Sequence, residues 1–342
     1  MQTFYTQQDY NRYIYKNQLK KDSNKAGFVL LLYFIVMSVI SVGALFIPII
    51  GSLFSSGDIN TLMQMEFIED TTFLMLLSGL VSIITFFGVS ILYSLITKSN
   101  LGKTYPLEKI SFKLTYHLCA IGFAVAMIAN YVSNILLALF DSVGLQTMTD
   151  TEYNCDSVLD IVLFYVTVAV LPALIEEFAF RGVILNIFRK YSDGLAVLVS
   201  GVTFGLMHGN FTQIPFALVV GLVLGYIAVK TNSLLPGIII HFLNNALSVT
   251  VTLLSTNTDL SDSEVNLVYS FVLIAIAIFG LISFSVLSRK HSGFFKLLGA
   301  DKMIEFKEKA KIAFYSPTVL VFSIVSIMEA IMMVVMAEVP TI

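Results

Sequence analysis

Glu176, Glu177, His208, His241 and Asn245 stand inside otherwise apolar runs of this chain. A polar group stripped of water is costly unless a partner or an aqueous cavity satisfies it, so five such residues together ask for an explanation. Their types suit water-driven attack on an amide. A carboxylate and an imidazole can take and return a proton, while an imidazole and a carboxamide can donate hydrogen bonds to the oxyanion of a tetrahedral intermediate. Glu177 and Arg181 are four apart with the acid first, which places them on one helical face in the favourable order and predicts an ion pair. Glu176 points about 100° away from that pair and has no local cation, so it is the carboxylate expected to act as base. Phe204 with His208, and His241 with Asn245, share helical faces by the same spacing. The expected division of labour is Glu176 with His208 on the water, and His241 with Asn245 on the oxyanion.

The elements that must carry these groups are membrane helices. The chain is 57% hydrophobic and 13% charged, with a mean hydropathy of +0.85, whereas about a quarter of the residues of a soluble domain are charged. Apolar runs cover 27–50, 71–97, 115–140, 158–180, 194–208, 214–229, 234–255, 265–287 and 315–337. The fold class expected is all-α, a polytopic membrane bundle of about nine transmembrane helices. The runs 194–208 and 214–229 are short and separated only by Gly209 to Gln213, so they read as an antiparallel hairpin that need not cross fully.

Lysine and arginine mark one side. Lys16, Lys20, Lys21 and Lys25 precede the first run, Lys103, Lys109 and Lys113 follow the second, Arg189 and Lys190 the fourth, Lys230 the sixth, and Arg289 to Lys311 the eighth. The alternate loops carry acids and no Lys or Arg, which predicts a cytoplasmic N-terminus and an outer C-terminus in a multi-pass integral membrane protein. No cleavable signal peptide is expected. The basic face suits anionic lipid headgroups, and no nucleic-acid partner is expected. Cys119 and Cys155 sit on different elements without metal-type spacing, so no disulfide framework is expected.

Along the chain, 1–26 reads as a cytoplasmic N-terminal segment, 27–157 as three N-terminal spans, 158–255 as a four-helix core holding all the candidate residues, and 256–342 as two C-terminal spans. Between those last two spans, 289–314 reads as an amphipathic cytoplasmic segment lying on the membrane, anchored by Phe294, Phe295, Leu297 and Leu298. Within the core, Pro172 four residues before Glu176 predicts a kink that opens space beside the carboxylates. His241 is about seven residues into its helix, roughly 10 Å, and so is expected to lie shallower than Glu176 and His208 unless that helix begins deeper.

The patterns Glu176-Glu177-x-x-x-Arg181, Phe204-x-x-x-His208 and His241-x-x-x-Asn245, in this order on successive apolar helices, resemble the CAAX protease and bacteriocin-processing (CPBP, or Abi) family of intramembrane endopeptidases, which is related to the Ras-converting CAAX prenyl proteases. The likeness spans about 158–250. It implies Glu176 as base, His208 as its partner on the water, His241 and Asn245 as oxyanion donors, Glu177 and Arg181 as support, and Phe204 as the spacing partner of His208. A membrane-associated peptide or protein is the implied substrate: a prenylated CAAX tail for the eukaryotic branch, or a peptide pheromone, a bacteriocin leader or another membrane peptide for a bacterial member. No cofactor is the first expectation; the alternative is a zinc-dependent version holding the ion through Glu176, His208 and His241, although the HExxH arrangement is absent. A non-catalytic immunity or transport protein is the rival from another class.

Overall fold

The computed structural model describes residues 6–55, 71–98, 105–144, 155–290, 293–296 and 303–337. Helix α1 (Gln7–Ser55) is followed by α2 (Thr71–Ile96) and α3 (Phe112–Ser142). Then come α4 (Val158–Arg189), α5 (Asp193–Leu206), α6 (Ile214–Thr231) and α7 (Leu235–Asn257). The last three are α8 (Asp262–Lys290), α9 (Phe306–Phe314) and α10 (Pro317–Ala337). Among the described residues there is no β-strand, and 8 helices are long and apolar enough to cross a membrane: all of these except α5 and α9. The chain is a multi-pass helical membrane protein. The fifth apolar run, 194–208, becomes α5, whose 14 residues span about 21 Å, short of a bilayer core.

α5 and α6 form the expected hairpin. Ser192 caps α5 by accepting from the Leu195 amide, and the helix stops at Gly209, which adopts φ +56° in the turn. The two helices touch through small residues: a methyl group on Gly221 would sit 2.9 Å from the carbonyl oxygen of Gly201. Such close backbone approach is how apolar helices gain contact where lipid offers no hydrophobic drive. Both ends of the hairpin lie at one level, because Arg189 at the end of α4 donates to Asn232 Oδ1 at 2.6 Å and to the Val229 carbonyl at 3.1 Å.

The boundary drawn at residue 26 falls inside α1, which is continuous from Gln7 onward. Its polar half is held by a buried knot in which Asp22 accepts from Lys190 at 2.6 Å and from the Tyr191 hydroxyl at 2.6 Å. Burial first, and the Asp22 carboxylate second, push the Tyr191 phenol well above its ordinary range, so it stays a donor. The segment 289–314 is also corrected in part. α8 runs on to Lys290, and the described helix within the segment is only Phe306–Phe314. That helix docks on the protein: Lys309 is wholly buried and donates to the Tyr191 carbonyl at 2.9 Å. Phe294 and Phe295 pack against α6 and α8 through Tyr226 and Phe284, rather than standing apart as a membrane anchor. Leu297 and Leu298, like Lys103, lie outside the described residues.

Candidate active site

α4 carries the carboxylates and is not a regular α-helix. Two π-helical stretches, Tyr165–Val170 and Phe178–Ile184, flank the α-helical Leu171–Glu177. The expected disturbance at Pro172 is therefore taken up by widened turns, a feature common where helices carry function. Pro172 has no N–H to offer the Val168 carbonyl four residues back. Asn245 on α7 supplies the missing donor, with Nδ2 at 3.0 Å from Val168 O. Since a carbonyl only accepts, the Asn245 nitrogen must face α4, and its Oδ1 accepts from Asn244 Nδ2 at 3.1 Å.

The predicted pair between Glu177 and Arg181 is present and fully enclosed. Nη1 lies 2.7 Å from Oε1, with side chains 1% and 0% exposed. Arg181 also donates through Nη2 to the Gly221 carbonyl at 3.1 Å, and its guanidinium stacks 4.5 Å from the centre of the Phe204 ring. Phe204 is thus more than a spacing partner: its ring lies between the arginine and both histidines, edge-on to His208 at 5.1 Å and to His241 at 5.8 Å.

The structure changes which histidine meets the glutamates. His241 Nδ1 lies 3.4 Å from Glu177 Oε1 and its Nε2 lies 4.0 Å from Glu176 Oε2. The imidazole that reaches Glu176 is therefore His241 and not His208. The expected shallow position of His241 is overturned for a geometric reason. Gly237, one turn before it, presses against Glu177 so closely that a methyl group there would stand 2.9 Å from Oε2. The first turn of α7 consequently meets α4 at the level of the carboxylates, and its positive N-terminal end adds to Arg181 in balancing Glu177. His208 instead turns Nδ1 toward the Phe204 carbonyl at 2.9 Å. As that oxygen only accepts, Nδ1 carries the proton and Nε2 is left with its lone pair in the neutral ring.

Three contributors carry no signature in the residue patterns: Gly237, Gly221 through its carbonyl, and Asn244. The missing donor at Pro172 was the one readable hint, since it names Val168 as a carbonyl in need of a partner. Glu177 Oε2 and Asn244 Oδ1 are buried without a protein partner, atoms that in such sites are served by water. As a metal set the site fits poorly. Among the described residues no three His, Cys, Asp or Glu side chains gather as an ion would require, so Glu176, His208 and His241 form no ligand trio and no step is derived through a metal.

The helical membrane bundle thus carries two adjacent carboxylates, two imidazoles and an asparagine on α4, α5 and α7. Residues 158–247 match the family described as type II CAAX prenyl endopeptidase Rce1-like, and the likeness to the CPBP, or CAAX protease, family rests on this region. The chain is 32% identical over 142 residues to the "Membrane-embedded CAAX protease MroQ" of Staphylococcus aureus (strain USA300), covering 40% of this chain and 57% of that protein. It is 26% identical over 122 residues to an "Uncharacterized 24.3 kDa protein" of Escherichia coli, covering 34% of this chain and 56% of that one. The chain thus spans little more than half the length of the curated relatives it matches. No solved structure is similar to it.

Proposed function

We propose that this protein is an intramembrane endopeptidase that hydrolyses a peptide bond of a membrane-associated substrate, with Glu176 as the general base. The observation that carries the reading is the position of His241, held between the buried Glu177 and the less buried Glu176, whose side chain is 17% exposed. Glu177, fixed by Arg181, accepts the Nδ1 hydrogen of His241 and so sets the direction of Nε2. The 4.0 Å between Nε2 and Glu176 Oε2 is too long for a direct hydrogen bond and suits a water shared by the two. In the reaction the water oxygen bonds to the carbonyl carbon while Glu176 takes its proton. The carbon–nitrogen bond then breaks and the proton passes to the departing amine, with the Nε2 lone pair of His208 as a second acceptor on the way. One amide hydrogen of Asn245 is committed to Val168; its second is the donor assigned to the oxyanion.

The family match supports a lipidated, CAAX-like tail as substrate, and the sidedness of Lys and Arg supports a cytoplasmic N-terminus. The test is cleavage of a membrane-peptide library by purified protein in detergent, with Glu176→Gln and a chelator as parallel arms. Cleavage by the wild type that vanishes in Glu176→Gln and persists with chelator is the expected result. Unchanged cleavage in Glu176→Gln removes Glu176 from the mechanism, and loss on chelation that zinc restores replaces this water-activating scheme with a metal-dependent one.

A further inference from the structure

Three apolar grooves open on the outside of the bundle, and they differ in what stands at their polar ends. The groove between α3, α7 and α8, lined by Phe112, Cys119, Phe123 and Phe279, has no charged residue in its wall. The groove beside α2 and the start of α7 carries Glu108 and Lys109, which offset each other. The third, of about 480 Å³, runs along the cleft between α1 and α2, lined by Phe28, Leu32, Val89, Leu92 and Ile96, with Lys21 and Lys25 at one end. Phe28, Leu92 and Ile96 are 58%, 51% and 72% exposed, so this groove is open to acyl chains along its length. Its volume lies within the range of small-molecule sites.

This third groove shares Lys25, Tyr93 and Thr97 with a second cavity of about 230 Å³, which is less apolar and is bounded by Asp22, Gly182, Asn186 and Lys190. Its charge is ordered by Asp22, which accepts from Lys25 at 3.2 Å, Lys190 at 2.6 Å, Tyr191 at 2.6 Å and Gln18 at 3.1 Å. The carboxylate is only 5% exposed, whereas the lysine side chains are 57% and 55% exposed. Two ammonium groups against one enclosed carboxylate leave a net positive charge at the open face. Each ammonium has three hydrogens to donate, and the bond to Asp22 uses one. A net-positive pocket that continues into an apolar groove has the shape and charge pattern of an amphiphile.

We propose that the α1–α2 cleft is a binding site for one anionic phospholipid, with its phosphate against Lys25 and Lys190 and an acyl chain between Phe28 and Leu92. The headgroup would rest on Gly182, directly after Arg181, and on Asn186, about one turn further along the helix that carries the glutamates. The site is independent of the protease reading, because none of its residues is assigned to the reaction.

The experiment is lipid retention by native mass spectrometry after incubating the detergent-purified full chain with phosphatidylglycerol, phosphatidylcholine or soluble glycerol phosphate. One phosphatidylglycerol should be retained at least fivefold more than phosphatidylcholine, with no retention of glycerol phosphate. A lysine near an anionic surface contributes roughly fivefold in binding, so Lys25→Gln with Lys190→Gln should cut phosphatidylglycerol retention by about tenfold or more. Leu92→Trp fills the groove without changing charge and should lower retention of both lipids; a thermal melt of each variant verifies folding. Equal retention of the two lipids means an ordinary annular contact and overturns the proposal. Retention of glycerol phosphate matching that of phosphatidylglycerol makes it a soluble-anion site instead, and full retention by both the double-lysine variant and Leu92→Trp places the lipid elsewhere.

Discussion

In α4 to α7 the Glu177 carboxylate, the Arg181 guanidinium, the His241 imidazole and the Asn245 amide bond across α4, α6 and α7, while α8 and α10 meet the membrane with apolar side chains. Half of the apolar stretch of α6 is buried, against 17% of that of α8, where Phe271, Leu281 and Ile282 are 65%, 68% and 55% exposed. The contrast shows where this protein accepts the cost of desolvating polar groups. On the exposed faces of these flanking helices side-chain identity matters little beyond being apolar, and their polar groups, such as Ser283 of α8 against His117, are turned inward. In the core each polar group depends on a particular partner, so a single substitution strands another group. That dependence can be broken in graded steps.

The largest effect belongs to chemistry without structure. Glu176→Gln should lower cleavage by about 10²- to 10⁴-fold, the usual contribution of a general base, while the unfolding temperature in detergent moves by no more than a few degrees. A variant that melts early would show that Glu176 supports the fold instead. Next comes the enclosed ion pair. Glu177→Gln leaves the Arg181 charge buried without its partner and should cost about 3–5 kcal/mol, read as a lower melting temperature; adding Arg181→Met should recover most of it. If single and double variants melt alike, the pair is not the unit it looks to be. Asn245→Leu comes third, at about 1–3 kcal/mol for stranding the Val168 carbonyl. Pro172→Ala should return part of that loss when combined with it, because an alanine restores an N–H facing that carbonyl; strict additivity of the two substitutions would break the link. At the small end, Leu281→Ala on the exposed face of α8 should change stability by under about 0.5 kcal/mol.

Much of the local arrangement could be read from spacing. The Glu177–Arg181 pair follows from a four-residue interval and a periodicity of 3.6, and the α5–α6 hairpin from two short apolar runs separated by five residues. The pairing of helices could not be read the same way. Placing His241 by counting residues assumed that helices start from a common plane and run parallel, and the contact of Gly237 with Glu177 breaks that assumption. Matching Glu176 to His208 rested on equal depth alone, and depth says nothing about which way a ring turns. His208 turns back on the Phe204 carbonyl of its own helix. Lys309 marks a further limit. Nothing in a basic cluster tells which lysine will be buried, because its acceptor, the Tyr191 carbonyl, is 118 residues away in sequence.

The contact between α1 and α10 bears on how the molecule is made. Thr318 donates through its hydroxyl to the Asn24 carbonyl at 2.8 Å across 294 residues of chain, and Gly27 lies so near Thr318 and Val319 that any larger residue would collide. During synthesis α1 enters the membrane first, yet this face of it has no mate until the ribosome has added some three hundred further residues. The face of α1 around Gly27 must therefore remain open, or be held by an insertion chaperone, for most of translation. A ribosome stalled before residue 317 would display a nascent chain in which α4 to α7 are all present but α1 is still uncovered there.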